Sequence, residues 1–200
     1  MRKQLKLFHW IDVFKRLSGR GIYPHELAFM LDSPIRKFIL SPEKLIQRLH
    51  LSPNSIVLEI GPGPGYFSLE VAKRIPAGQL ILFDIQSEML NKSIVKLKKE
   101  NIKNFYAVQG NAIVLPFNSR VFDIIFLVTV LGEVTDQEKC LNSINRILRV
   151  GGILSITEMS GDPDVLSQDE IHQNVSRCGF EYVETFPSFK GFTINFKKIH

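Results

Sequence analysis

Cysteine is scarce in this sequence, and its spacing matches no common metal site or disulfide framework. Cys140 and Cys178 are the only cysteines among 200 residues, and neither belongs to a C-x-x-C pair. Both fall on apolar positions of predicted helices, which is typical of buried thiols in a reducing compartment. We therefore expect two free thiols and no bound metal ion.

Long apolar runs are also missing from the sequence. No stretch approaches the ~20 consecutive apolar residues that a membrane-spanning helix needs. Near the N-terminus the apolar pattern is broken by Lys6, His9 and Asp12, unlike the core of a signal peptide. The pattern predicts a cytoplasmic protein.

Neither sign of charge forms a block. Twenty-five Lys and Arg residues stand against 20 Asp and Glu residues, for a net charge of +5 and a pI near 9.2. No compact basic run dominates, so the excess indicates a solvated surface more than a binding face for an anion. Nucleic acid is thus an unfavoured partner, although the charge does not exclude it.

The first part of the chain is predicted to be helical. Residues 3–18 place one apolar stripe on a basic helix; its members are Leu7, Trp10, Ile11, Phe14 and Leu17. Such a helix either packs on the domain as a cap or lies on a membrane surface, and we favour the cap. We predict a helical extension over residues 1–52 and a main domain over residues 53–200.

From residue 55 onward, predicted strands and helices alternate. This order indicates a doubly wound, Rossmann-like α/β fold with right-handed crossovers. We expect a seven-stranded sheet, mostly parallel with one antiparallel strand in a final hairpin. Strands are predicted near 55–60, 80–84, 105–109, 122–128, 153–157, 180–186 and 191–198. Helices are predicted at 42–50, 65–75 and 87–100, with two more opening at capping boxes that begin at Thr135 and Ser167.

The first strand and the turn after it contain the most informative motif in the sequence. Gly61, Gly63 and Gly65 alternate with other residues directly after an apolar strand that carries one acid, Glu59. A dinucleotide site requires G-x-G-x-x-G, and here the third glycine comes one residue early. The charge of Glu59 would also oppose a pyrophosphate, so the pattern favours a cationic ligand.

This E-x-G-x-G-x-G sequence resembles motif I of class I S-adenosylmethionine (SAM)-dependent methyltransferases. The resemblance implies SAM as cofactor, a ligand with an ammonium and a sulfonium but no phosphate. It implies that Glu59 helps to hold the methionine amino group. It also implies that the turn formed by Gly61, Pro62, Gly63 and Gly65 leaves room for the cofactor.

Other cofactor contacts are predicted at the ends of the next two strands. Asp84 follows the second strand and would accept both ribose hydroxyls of a nucleoside, with Ile85 beside it as an apolar surface for adenine. The same spacing fits NAD sites, and Asp84 could instead cap a helix or lie on the surface. Residues 110–117 resemble the family's G-D-A-x-x-L-P-F segment. That resemblance implies an acceptor for the adenine amino group at Asn111 and a backbone amide at Ala112 for a ring nitrogen, although Asn111 could simply form an Asx-turn.

The segment after the fourth strand narrows the substrate class. Residues 129–134 lack the [N/D/S]-P-P-[Y/F/W] motif of nucleic-acid amino-methyltransferases. Residues 41–67 resemble the ribosomal RNA adenine dimethylases, but that missing motif argues against them. Residues 131–136 and 146–152 resemble small-molecule methyltransferases of the ubiquinone/menaquinone C-methyltransferase type. The resemblance implies in-line methyl transfer to a small molecule.

Four residues are candidates for a catalytic base near the acceptor: Glu133, Glu158, Tyr23 and His25. Each also has a structural interpretation, as a helix start, a loop cap or a packing ring. Two other functions remain open. One is methylation of RNA or protein, and the other is SAM binding or membrane docking without catalysis.

Overall fold

The structure is a computed structural model that describes residues 41–200. The predicted helix over residues 3–18 and the candidate residues Tyr23 and His25 lie outside the described residues. For the same reason, the proposed division between residues 52 and 53 stays a prediction. Within residues 41–200, no helix has the length and apolar character needed to cross a membrane.

Seven strands form one sheet in the order β3-β2-β1-β4-β5-β7-β6. Their bounds are β1 Ile56–Ile60, β2 Gln79–Asp84, β3 Phe105–Gln109, β4 Phe122–Val128, β5 Leu148–Met159, β6 Phe180–Ser188 and β7 Gly191–Lys198. Strands β1 to β5 pair in parallel, whereas β7 runs antiparallel to both β5 and β6. The expected doubly wound sheet with one antiparallel strand is therefore confirmed. Its order reverses between β1 and β4, the point at which ligands bind in such sheets.

Five helices of the described range cover the sheet: α1 Pro42–Arg48, α2 Ser68–Arg74, α3 Ser87–Lys99, α4 Gln137–Ile147 and α5 Gln168–Ser176. Successive strand residues point to opposite faces, so Val57 and Leu58 enter two different apolar cores. Helices α1 to α3 supply the core on the Val57 face, and α4 and α5 supply the other. Burying each large apolar side chain stabilises the fold by roughly 1.5–3 kcal/mol.

Both cysteines are buried as free thiols, as the sequence predicts. Cys140 and Cys178 belong to the core beneath α4 and α5. Burial raises the pKa of Cys140 to about 12, so this thiol stays protonated and unreactive at neutral pH.

The N-cap residues of three helices were predicted from the sequence, and two of these predictions are confirmed. Ser41 caps α1, and Ser167 with Glu170 forms the predicted capping box of α5. The capping box predicted at Thr135 is wrong, because Asp136 is the N-cap of α4 and accepts from the Lys139 amide at 3.0 Å. Asp and Thr are both good caps, so local sequence could not choose between adjacent positions.

Strand β5 also starts earlier than predicted. The sequence predicts a helix end at 150–152 and a strand from residue 153, but β5 begins at Leu148. Leu148 is buried and pairs with Phe122 of β4. This pairing between distant parts of the chain extends the strand across the two glycines at 151 and 152.

Replacing Asp136 by alanine tests the corrected cap. The Asp136→Ala variant should lower the midpoint of thermal unfolding by about 2–4 °C, because it leaves an amide of the first turn of α4 without its acceptor. Thr135→Ala is the matched control and should change the midpoint much less. Differential scanning calorimetry measures both, and a larger loss for Thr135→Ala would contradict the assignment.

Candidate functional site

The turn after β1, residues 61–65, contains the three glycines of the predicted site, and we call it the glycine turn. Gly61, Gly63 and Gly65 have φ values of +69°, +54° and +80°. These values lie in the left-handed region, which glycine adopts without the steric cost of a Cβ atom. The Gly61 amide donates to the Phe83 carbonyl at 2.8 Å, which ties the turn to the end of β2.

Two neighbours press against the glycine turn, and sequence reasoning missed both. A Cβ atom on Gly61 would collide with the Val130 side chain, and one on Gly65 would lie 3.1 Å from Ser93 Cα. The Ser93 hydroxyl also donates to the Gly63 carbonyl at 2.7 Å. Ser93 is fully buried on the apolar stripe of α3. A serine on the core-facing stripe of a predicted helix is unusual, and this feature of the sequence could have indicated that Ser93 has a specific contact.

Glu59 is a buried acid directly before the glycine turn. Its residue is 2% exposed, and the Ser68 hydroxyl of α2 donates to its Oε2 at 2.5 Å. Burial raises the pKa of Glu59 to about 8, and the nearby charge of Asp84 raises it further, while the Ser68 hydrogen bond acts in the opposite direction. A cation next to this buried carboxyl would stabilise its ionised form and lower its pKa.

Asp84 lies at the end of β2, beside the glycine turn. It is buried, and its Oδ1 accepts from the Gln86 amide at 2.9 Å. Burial raises the pKa of Asp84, although hydrogen bonds from the amides of Gln86, Gly63 and Ile85 lower it in part. The N-cap of α3 is Gln86, so Asp84 is not the helix cap considered from the sequence.

Ile85 follows Asp84 and leaves 42% of its surface exposed at the carboxyl edge of the sheet. An isoleucine directly after a buried strand usually enters the core, and this one does not. The position therefore offers an apolar surface next to a buried carboxyl. That arrangement suits the flat ring and the sugar hydroxyls of a nucleoside.

The turn after β3 lies next to the same edge. The Gly110 amide donates to the Asp84 carbonyl at 2.9 Å, and the Asn111 Oδ1 accepts from the Ile113 amide at 3.0 Å. Asn111 thus forms the Asx-turn considered as its alternative role. The Asn111 Oδ1 has a second lone pair that can accept another hydrogen bond. Its predicted contact with the adenine amino group therefore stays a prediction, as does the contact of the half-buried Ala112.

The carboxyl ends of β4 and β5 meet beyond the glycine turn. The Thr129 amide donates to the Thr157 carbonyl at 2.8 Å, and a short 3₁₀ helix, Leu131–Glu133, follows β4. Glu158 is the residue after Thr157 and is 1% exposed. Among the described residues 41–200, its Oε1 finds no hydrogen-bond partner.

Four acids of the part of the chain that the structure describes lie near this end of the sheet, and we call Glu133, Glu158, Asp162 and Asp164 the carboxyl cluster. Burial raises the pKa of Glu158 to about 8, and the charges of Asp162, Glu133 and Asp164 raise it further. The structure therefore brings together two of the predicted acceptor-side residues, Glu133 and Glu158. Sequence reasoning missed Asp162 and Asp164 as neighbours of Glu158, although the segment G-D-P-D was visible.

The residues around the glycine turn fit SAM better than a dinucleotide. Two buried carboxyl groups with raised pKa values, Glu59 and Asp84, suit an ammonium group and ribose hydroxyls. The charge of Glu59 would instead oppose a pyrophosphate, whereas an acid at the position of Asp84 also occurs in dinucleotide sites. Among residues 41–200, no three His, Cys, Asp or Glu side chains are placed to hold a metal ion.

Known proteins resemble the chain in both sequence and fold. The family described as "Methyltransferase domain" matches residues 51–186. A "Ubiquinone/menaquinone biosynthesis C-methyltransferase UbiE" of Vibrio vulnificus is 39% identical over 110 residues, which cover 54% of this chain and 42% of that protein. The protein of the same name from Legionella pneumophila is 35% identical over 117 residues, covering 58% and 47%. The chain thus matches less than half the length of these curated relatives.

Solved structures share the fold. A SAM-dependent methyltransferase from Aquifex aeolicus superposes with a TM-score of 0.84 at 21% identity, covering 89% of this chain and all of that one. The [4+2]-cyclase SpnF superposes with a TM-score of 0.72 at 15% identity, covering 79% of each chain. The fold alone therefore does not define the reaction, and the family match carries that information. Since it spans well over half of the sequence, this chain belongs to the Methyltransferase domain family, the class I methyltransferases that depend on SAM.

Proposed function

We propose that the protein transfers a methyl group from SAM to a small-molecule acceptor by in-line displacement. The observation that supports it most is the pairing of buried Glu59 and Asp84 with three left-handed glycines at one edge of the sheet. In this proposal Glu59 holds the methionine amino group and Asp84 accepts the ribose hydroxyls. Ile85 covers the adenine, with Asn111 and Ala112 at its edge.

The bound cofactor supplies a methyl group already activated on a sulfonium. The protein's contribution is then to orient the two reactants and to keep water out, which supplies much of the rate in such reactions. Val130 and Ser93 pack against the glycine turn and leave no room for a side chain at Gly61 or Gly65. The ends of β4 and β5 lie next to it and provide the acceptor side. The named relatives, which methylate carbon in quinone biosynthesis, support a small molecule as the acceptor class.

Binding of the demethylated product, S-adenosylhomocysteine, tests the cofactor part of this proposal. Asp84→Ala should weaken binding about 10–100-fold, since stranded hydroxyls cost about 1–3 kcal/mol. Isothermal titration calorimetry measures the change. Asp169→Ala is the matched control, because Asp169 is an exposed aspartate on α5, and it should leave the affinity unchanged.

Two outcomes would count against the cofactor assignment. The first is the absence of binding by the unaltered protein at millimolar ligand. The second is equal affinity in the Asp84→Ala and Asp169→Ala proteins. Methyl transfer from labelled SAM into a mixture of small acceptors then tests the reaction itself.

A further inference from the structure

Thr129, the residue that follows β4, has a backbone conformation that its residue type rarely adopts. Its φ value is +54°. Three other non-glycine residues within 41–200 have positive φ values, namely His50, Asn101 and Arg120, and Thr129 is the only one of these four with a β-branched side chain. For such a residue the left-handed region is a true outlier. Outliers of this kind cluster at functional sites, where the surrounding structure enforces them.

The chain is fixed on both sides of Thr129, and this enforces its strained conformation. Val128 is buried and pairs with Thr157 of β5, and the Thr129 amide extends this pairing by donating to the Thr157 carbonyl at 2.8 Å. Leu131, two residues further on, is fully buried and begins the 3₁₀ helix. The Thr129 hydroxyl donates to the Val128 carbonyl at 2.7 Å, so the side chain is used locally. The turn out of the sheet is therefore made between Val128 and Leu131.

This turn out of the sheet places the Val130 side chain against the glycine turn. A Cβ atom added to Gly61 would collide with Val130 Cγ2 and would lie 3.2 Å from Val130 Cγ1. Gly61 comes two residues after Glu59, and its amide donates to the carbonyl of Phe83, the residue before Asp84. Val130 therefore contacts the backbone that joins the two carboxyl groups of the proposed cofactor site.

A branched residue at position 129 restricts this contact more than a glycine would. Glycine reaches the left-handed region at little cost, but it also reaches many other conformations. A β-branched residue has few conformations available, so the direction of Val130 is set once the neighbours of Thr129 enforce its φ of +54°. A site that is already in its binding conformation loses less free energy when the ligand binds.

We propose that Thr129 is a positioning residue, whose left-handed backbone holds Val130 against Gly61 and so keeps the glycine turn in the shape that binds SAM. This inference rests on the proposed function and adds to it a residue that acts through Val130 rather than by touching the cofactor. The strain at Thr129 then lowers stability and favours binding. Relief of the strain should change these two properties in opposite directions, whereas loss of a merely structural contact would lower both.

The test measures two properties of the full chain by calorimetry: the midpoint of thermal unfolding without ligand, and the affinity for S-adenosylhomocysteine. Thr129→Gly should leave the midpoint unchanged or raise it by up to about 4 °C, and it should weaken binding about 5–20-fold. Thr129→Val keeps the branch without the hydroxyl and should retain the affinity within about threefold. Arg120→Gly is the matched control, because the exposed Arg120 has a φ of +58° in the turn before β4, and it should leave the affinity unchanged.

A double variant tests whether Thr129 acts through Val130. Val130→Ala should also weaken binding, and adding Thr129→Gly to it should cause less than about a further twofold loss, because both changes release the same contact. Four results would overturn the inference: strictly additive losses, unchanged affinity in Thr129→Gly, a midpoint that falls together with the affinity, or an equal loss of affinity in Thr129→Val. Failure of the unaltered protein to bind S-adenosylhomocysteine would instead refute the proposed function.

Discussion

The Gly61→Ala variant should lose about 2–5 kcal/mol of unfolding free energy and most of its affinity for S-adenosylhomocysteine. Two costs combine at this position. The left-handed backbone costs about 1–2 kcal/mol for a residue with a Cβ. The new methyl group also collides with the Val130 side chain, and overpacking of this kind costs about 1–3 kcal/mol. Urea unfolding and calorimetric titration measure the two losses.

Two companion variants separate the backbone cost from the collision. Gly151→Ala has a similar φ of +78°, but its Cβ would have only Lys197 Cε nearby, at 3.6 Å. It should therefore show the backbone cost alone and keep the cofactor affinity. Adding Val130→Ala to Gly61→Ala should recover part of the loss, so the double variant should be more stable than the two single changes predict. Strictly additive losses would show that Val130 does not limit the space at Gly61.

The ligand-free protein should become less stable as the pH rises from about 5 to 8.5. Glu59 and Glu158 have folded-state pKa values of about 8 against an ordinary value of 4.5. Between these values the unfolded chain ionises the two acids while the folded protein keeps them neutral. The unfolded state then binds fewer protons, so the free energy of unfolding falls with rising pH. The stability is fully present below pH 4.5 and is lost as the pH passes through about 8.

The expected difference in unfolding free energy between pH 5.5 and 8.5 is on the order of 3–6 kcal/mol for the two acids together. Urea unfolding at both pH values measures it. Glu59→Gln and Glu158→Gln should each flatten the dependence, and the exposed Glu181→Gln should not. An unchanged slope in the Glu59→Gln, Glu158→Gln double variant would refute the burial of these acids in the folded state.

Ligand binding should reduce the same pH dependence. If Glu59 holds the methionine amino group, bound SAM favours the ionised carboxylate and lowers its pKa. Saturation with SAM should therefore stabilise the protein more at pH 8.5 than at pH 5.5. The Glu59→Gln variant should lose this difference, which connects the pH experiment to the proposed cofactor contact.

Local sequence patterns predicted most of the sheet. Strands β3, β4 and β7 have the predicted bounds, and the single antiparallel strand lies where the final hairpin was expected. These strands are apolar runs or alternating patterns bounded by turn residues, so local sequence carries enough information to place them. The N-cap of α4 and the start of β5 were misplaced. In those cases neighbouring residues were equally suitable, or pairing with Phe122 extended the strand.

The sequence by itself determined the cofactor class, because the spacing of the three glycines and the charge of Glu59 are local features. Only the tertiary structure decided what surrounds them. Val130 and Ser93 reach the glycine turn from residues distant in sequence. Glu158 is buried beside Asp162, Glu133 and Asp164 because β4 and β5 are neighbours in the sheet. Burial and electrostatic repulsion depend on which distant segments meet, so no local pattern could predict the raised pKa of Glu158.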